Sequence, residues 1–126
     1  MKLLLDTHVM IWWLDGSPRL GAGARRAITA AGSDIYFSVA SWWEMSIKRS
    51  LGRLNIDPAI LRATIARNAI QILDVRVDHA EAVAILPPHH GDPFDRMLVA
   101  QAEIEGLLLL TRDKRLKAYG AAVMCT

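Results

Sequence analysis

Lys2-Leu3-Leu4-Leu5-Asp6 is the stretch that decides the fold: an apolar run without polar alternation, ended by a carboxylate and followed by Thr7 and His8. A strand that is apolar at every position is covered on both faces, as the strands of parallel sheets are. Leu107 to Leu110 repeats the pattern, and Asp34 to Ser38, with Ile35, Tyr36 and Phe37, reads as another strand. Gln71 to Val75 and Ala121 to Met124 are shorter candidates. Helical stretches lie between them. Thr7 to Asp15 runs up to the Gly16-Ser17-Pro18 break, Gly21 to Ala31 ends at Gly32, and Ala40 to Leu51 is closed by Gly52. Further helices are expected from Pro58 to about Ala69, from Asp78 to Leu86, and from Asp92-Pro93 to the residue before Gly106. In the last, Asp92 suits the N-cap and Pro93 the first turn. Strands alternating with helices predict an α/β chain, a three-layer α/β/α sandwich with a central parallel sheet and right-handed crossovers.

The rest of the composition fits one domain spanning residues 1–126. A chain of 126 residues with 52% hydrophobic residues buries roughly two-thirds of its unfolded surface and needs no staples. That apolar content excludes disorder, and eight glycines and five prolines without a period exclude fibrous and low-complexity classes. The single cysteine, Cys125, has no partner for an internal disulfide, which predicts a reducing compartment. Asp6 and His8 interrupt the apolar start too early for a secretory signal, and no run reaches the ~20 residues of a membrane helix. The expectation is a cytoplasmic protein without membrane contact. Net charge is only +2, too small an excess to imply nucleic acid by itself.

Ligands of such sheets gather at the carboxyl ends of the strands. Asp6 closes the first strand there, and Asp113 follows Leu110 by three residues. Glu44 and Asp95 are expected in or near first helical turns. Each has an ordinary structural explanation. Asp6 can cap the next helix, Ser41 and Glu44 have capping-box spacing, Asp95 complements a helix dipole, and Asp113 can make a turn. Together they point elsewhere. If the first strand neighbours Leu107–Leu110, four carboxylates converge, and carboxylates that close repel unless a cation neutralises them. Oxygen donors with no His or Cys interleaved suit Mg²⁺ or Mn²⁺ rather than zinc. A carboxylate-held metal with open positions is a usual apparatus for phosphodiester hydrolysis.

Leu3-Leu4-Leu5-Asp6-Thr7-His8, Ser38-Val39-Ala40-Ser41-Trp42-Trp43-Glu44, Asp92-Pro93-Phe94-Asp95-Arg96-Met97 with Ala100-Gln101-Ala102, and Leu110-Thr111-Arg112-Asp113 resemble, in order, the blocks of the PIN-domain family. Within it they look most like VapC-type toxins of toxin–antitoxin pairs. The resemblance implies a small α/β/α nuclease fold, Mg²⁺-dependent endoribonuclease activity, a homodimer and neutralisation by a small antitoxin protein. The family's four acids fall on Asp6, Glu44, Asp95 and Asp113. Thr111 takes the hydroxyl position before the last acid, Ser41 is a polar position near the site, and Asp92 remains the helix cap.

An acidic pocket repels RNA, so nearby cations are needed. Arg96, Arg112, Lys114, Arg115 and Lys48 adjoin the acids in sequence and are the candidates for phosphate contact. His89 and His90 are assigned a loop role. Adjacent helical residues point ~100° apart, so one member of each pair, Trp12-Trp13 and Trp42-Trp43, is expected at the surface. With Ile11 and Leu14 these four are candidates for an antitoxin interface. Two alternatives stay open: a non-catalytic nucleic-acid-binding or regulatory module of the same fold, and an RNA-processing nuclease without an antitoxin.

Overall fold

The computed structural model describes residues 1–126. Its elements are β1 (Lys2–Leu5), α1 (Thr7–Leu14), α2 (Ala22–Thr29), β2 (Asp34–Ser38), α3 (Val39–Ser50), α4 (Pro58–Arg67), β3 (Gln71–Leu73), α5 (Val77–Val83), α6 (Pro93–Glu105), β4 (Leu108–Thr111), a 3-10 helix (Lys114–Tyr119) and β5 (Val123–Cys125). All strand pairs are parallel, in the order β3-β2-β1-β4-β5. β1 pairs with β4 in the register Leu5↔Leu110, the adjacency on which the convergence of acids depended.

The three layers follow from the period of two along each strand. On one face Leu3 and Leu5 of β1 join Ile35, Phe37 and Leu110 under Val9 and Met10 of α1, Ile28 of α2 and Leu61 of α4. On the other, Leu4 and Leu109 pack with Leu98, Val99 and Ala102 of α6, and with Leu116 of the 3-10 helix. Leucine at the three buried positions of β1, Leu3 to Leu5, is what two covered faces require.

Several boundaries differ from the sequence reading. α3 begins at Val39, because Ser38 is the cap: its Oγ accepts the N–H of Ala40 at 3.0 Å and donates to Oε1 of Gln101 at 2.6 Å. The Ser41–Glu44 capping box is therefore not formed; Ser41 is buried inside the helix and Glu44 lies in its second turn. β3 and α5 stop early, at Leu73 and Val83, and the 3-10 helix was not anticipated. It starts under Asp113, whose Oδ1 accepts the N–H of Arg115, and ends at Gly120, where φ is +96°. No helix is long and apolar enough to cross a membrane.

Candidate functional site

The strand order turns at β1 and β4, and open α/β sheets bind ligands beyond the carboxyl ends of strands at such a switch point. Asp6 stands there. Its Oδ1 accepts the N–H of Val9, capping α1 at 2.8 Å, while its Oδ2 accepts the hydroxyl of Thr111 at 2.6 Å. One buried carboxylate thus both caps α1 and ties it to the end of β4. Burial pushes its pKa up, with the Thr111 and Val9 bonds working against that rise. Glu44, also buried, accepts the Thr7 hydroxyl at 2.6 Å and pairs with Lys48 at 3.0 Å.

Asp95 belongs to the first turn of α6, positioned by Asp92, whose Oδ1 accepts the N–H groups of Phe94 and Asp95. Its pKa is raised to about 7, first by burial and then by the negative charges of Asp92, Asp6 and Glu44. Asp113 is the opposite case. Arg115 grips both of its oxygens, at 3.0 and 2.7 Å, and holds its carboxyl well below the usual carboxylate range. One acid is thus neutralised by its own chain, and another is left among like charges.

His90 joins these two, which corrects the loop role given to it and the expectation that no histidine interleaves the acids. Its Nε2 lies 3.1 Å from Asp113 Oδ2 and 3.6 Å from Asp95 Oδ2, and its side chain is only 5% exposed. Its Nδ1 accepts the backbone N–H of Asp92 at 3.0 Å, so the ring proton sits on Nε2 and the ring donates to Asp113. Donor atoms of His90, Asp95 and Asp113 lie within 4.8 Å of one another. A proton on Nε2 leaves the oxygens as the available metal donors, and the charge raising Asp95 is what a divalent cation would neutralise. The residues fit a hard cation such as Mg²⁺ or Mn²⁺.

The five candidate cations separate. Arg96 donates to the carbonyls of Val83, Leu86 and Pro87 and to the Tyr119 hydroxyl, tying the α5–α6 loop to α6. Both Nη groups of Arg96 are thus engaged within the chain, in a structural role that the sequence reading did not foresee. Lys48 and Arg115 are held by Glu44 and Asp113. Lys114 is exposed. Arg112 donates to the Arg19 carbonyl at 2.7 Å, leaving its charge unpaired by any carboxylate.

The tryptophans also separate. Trp12 and Trp13 are both half-buried against the first core, so neither member of that pair is fully exposed; Ile11 is buried. Trp42 lies over Phe37 and under Arg62, whereas Trp43 is 63% exposed and meets Phe94 edge-on at 5.4 Å. Trp43 lines an apolar groove of about 540 Å³ with Val39, Val75, Val83, Phe94 and Met97.

Residues 3–122 match the PIN domain family. The chain is 31% identical over 120 residues to Ribonuclease VapC22 of Mycobacterium tuberculosis, covering 93% of this chain and 91% of that protein. Its fold is similar to a structure of VapBC2 from Rickettsia felis bound to a DNA fragment from their promoter, with TM-score 0.73, 14% identity and coverage of 100% of this chain and 98% of that one. It is also similar to a toxin–antitoxin complex from Klebsiella pneumoniae, with TM-score 0.66, 22% identity and coverage of 97% and 95%.

Proposed function

The chain belongs to the PIN-domain family, and from that premise we propose that it is a VapC-type toxin, a Mg²⁺-dependent endoribonuclease. One observation carries the reading: oxygens of Asp95 and Asp113 lie within 4.8 Å of each other beside the carboxyl ends of β1 and β4, where the buried Asp6 also stands, so carboxylates from three elements gather at one sheet edge. The relative named a ribonuclease covers nearly the whole chain and supports the choice of substrate class.

In this reading Asp6 and Asp95 would hold the cation, with Glu44 and Asp113 completing the acidic pocket. A divalent cation bound there supplies an acidified water and neutralises charge developing on the phosphate. Thr111 fixes the rotamer of Asp6 by its hydrogen bond, and Thr7 does the same for Glu44. His90 holds Asp113 by donation from Nε2. Arg112 and Lys114 are the remaining candidates for attracting the RNA backbone. Water attacks phosphorus and the bond to the 3′ oxygen breaks, that oxygen taking a proton, so the products carry a 5′-phosphate and a 3′-hydroxyl.

A small antitoxin is the proposed partner, and the complexes among the similar structures support it. The exposed Trp43 groove offers it an apolar face; a homodimer is the proposed assembly.

The test is an RNA cleavage assay with Mg²⁺, Mn²⁺ or EDTA, wild type beside Asp6→Asn. Cleavage that needs both metal and Asp6, leaving 5′-phosphate ends, is expected. Products with 2′,3′-cyclic phosphate would overturn the mechanism, and tight RNA binding with metal present but without cleavage would favour the non-catalytic module.

A further inference from the structure

Resting on the nuclease reading, we propose that His8, Trp12 and Arg112 form a nucleotide subsite that takes one unpaired base of the RNA and its phosphate beside the bond to be cut. Asp6 and Asp113 line the same cavity of about 220 Å³ as these three residues, so whatever enters it lies against the acidic site. His8 and Trp12 stand one turn apart on α1, ring centroids 5.7 Å from each other, and supply an aromatic wall. Every nucleobase has a π-face, and stacking on such a wall is worth about 1–3 kcal/mol per base.

Arg112 supplies the charge. Among the cations near the acids, Lys48 and Arg115 are spent on carboxylates, and Arg96 on carbonyls at the end of α5 and in the segment that follows it. Arg112 instead is oriented by the Arg19 carbonyl, and it rests on Gly21, where a Cβ would come within 2.9 Å of its Nη1. One of its five N–H donors is used this way, so the others face a phosphate with the positive charge intact.

The cavity's shape and chemistry select a nucleotide over a protein helix. Only Trp12 of its five lining residues is apolar, and the space suits one planar group. A helix needs a long apolar trough, which this molecule has elsewhere, beside Trp43. A base must leave its stack to enter, so the subsite takes unpaired rather than duplex RNA.

The test uses the whole chain in Ca²⁺ with a fluorescein-labelled short single-stranded RNA, intact or abasic at one position at a time, binding read by anisotropy. The same samples are run on a denaturing gel. One abasic position should weaken binding about tenfold, and that penalty should vanish in Trp12→Leu, persist in Trp12→Phe, and be joined by a flatter salt dependence in Arg112→Gln. A complementary strand should abolish the preference. Equal binding of all abasic RNAs, an abasic penalty undiminished in Trp12→Leu, or no binding of the intact RNA overturns the subsite. Trp12→Leu that binds RNA normally but no longer binds an antitoxin overturns it in favour of a protein groove. RNA held with the expected abasic pattern yet never cut, in Ca²⁺ or Mg²⁺, instead overturns the nuclease reading alone.

Discussion

Two carboxylate–histidine clusters, one near each end of α6, differ in how their charge is compensated and in how deeply their acids are buried. Around Glu105, the buried His79 donates from Nε2 at 2.9 Å while Arg76 bridges Glu105 at 2.7 Å and Asp78 at 2.9 Å. Arg76 keeps both carboxyls below their ordinary values. Around Asp95, His90 bonds Asp113 and stays 3.6 Å from Asp95, the Arg115 guanidinium is committed to Asp113, and burial with the neighbouring carboxylates raises Asp95 to about 7. In the first cluster one guanidinium serves both carboxylates, which makes it a clamp; in the second the guanidinium serves Asp113 alone, and Asp95 is the acid we propose a cation from solution to neutralise. Residue type alone does not separate the two, because both triads have ligand atoms close enough for a metal.

The largest expected effect breaks the active half of the comparison. Asp6→Asn or Asp95→Asn should lower Mg²⁺-dependent RNA cleavage at least about 100-fold, since even supporting residues of metal sites are worth 10–100-fold. Near-full activity in either would end the assignment.

Next is the stability of the metal-free protein against pH. The folded-state pKa of Asp95 lies above its unfolded value of 3.8, so its ionisation opposes folding. The penalty is absent below about pH 4, grows as pH rises toward about 7, and is full above it. One pKa unit corresponds to about 1.4 kcal/mol; with partial exposure, the penalty at pH 8 is of order 2 kcal/mol. In EDTA, Asp95→Asn should therefore be more stable than wild type at pH 8 and equal to it near pH 4, by denaturant unfolding. Mg²⁺ should erase most of the difference. Glu105, whose pKa is lowered, should give the reverse trend: Glu105→Gln loses stability present at neutral pH, and the gap to wild type closes as pH falls through the carboxylate range.

His90→Ala removes the donor to Asp113 while leaving every acid in place, and should slow cleavage about tenfold at unchanged circular dichroism. An unchanged rate would make His90 a loop residue after all. The smallest effect is expected at Arg76. Arg76→Met should lower the melting temperature slightly and leave cleavage untouched; lost cleavage would mean the distant clamp communicates with the site.

Much of this was readable in the chain. Leu3-Leu4-Leu5 and Leu108-Leu109-Leu110 carry no polar residue, so they had to be covered twice, and that alone predicts central parallel strands. Asp92-Pro93 marked the start of α6 and Gly106, at φ +68°, its end, because capping depends on residues within one turn. Asp6, Asp95 and Asp113 stand at or near element ends that the local pattern locates, whereas Glu44 lies in the second turn of α3, away from the first turn expected for it. What local pattern cannot report is who meets whom. Ser38 rather than Ser41 caps α3 because Gln101, 63 residues away, holds its hydroxyl. His90 reaches Asp113 across 23 residues, and Arg96 is consumed by carbonyls that its own stretch of sequence does not contain. The sequence by itself determined the covered strands, the helix ends and the supply of carboxylates, because hydrophobic period and capping act over a few residues. Only the tertiary structure decided which carboxylates keep a cation of their own, because charge compensation acts through space over a few ångströms, whatever the distance along the chain.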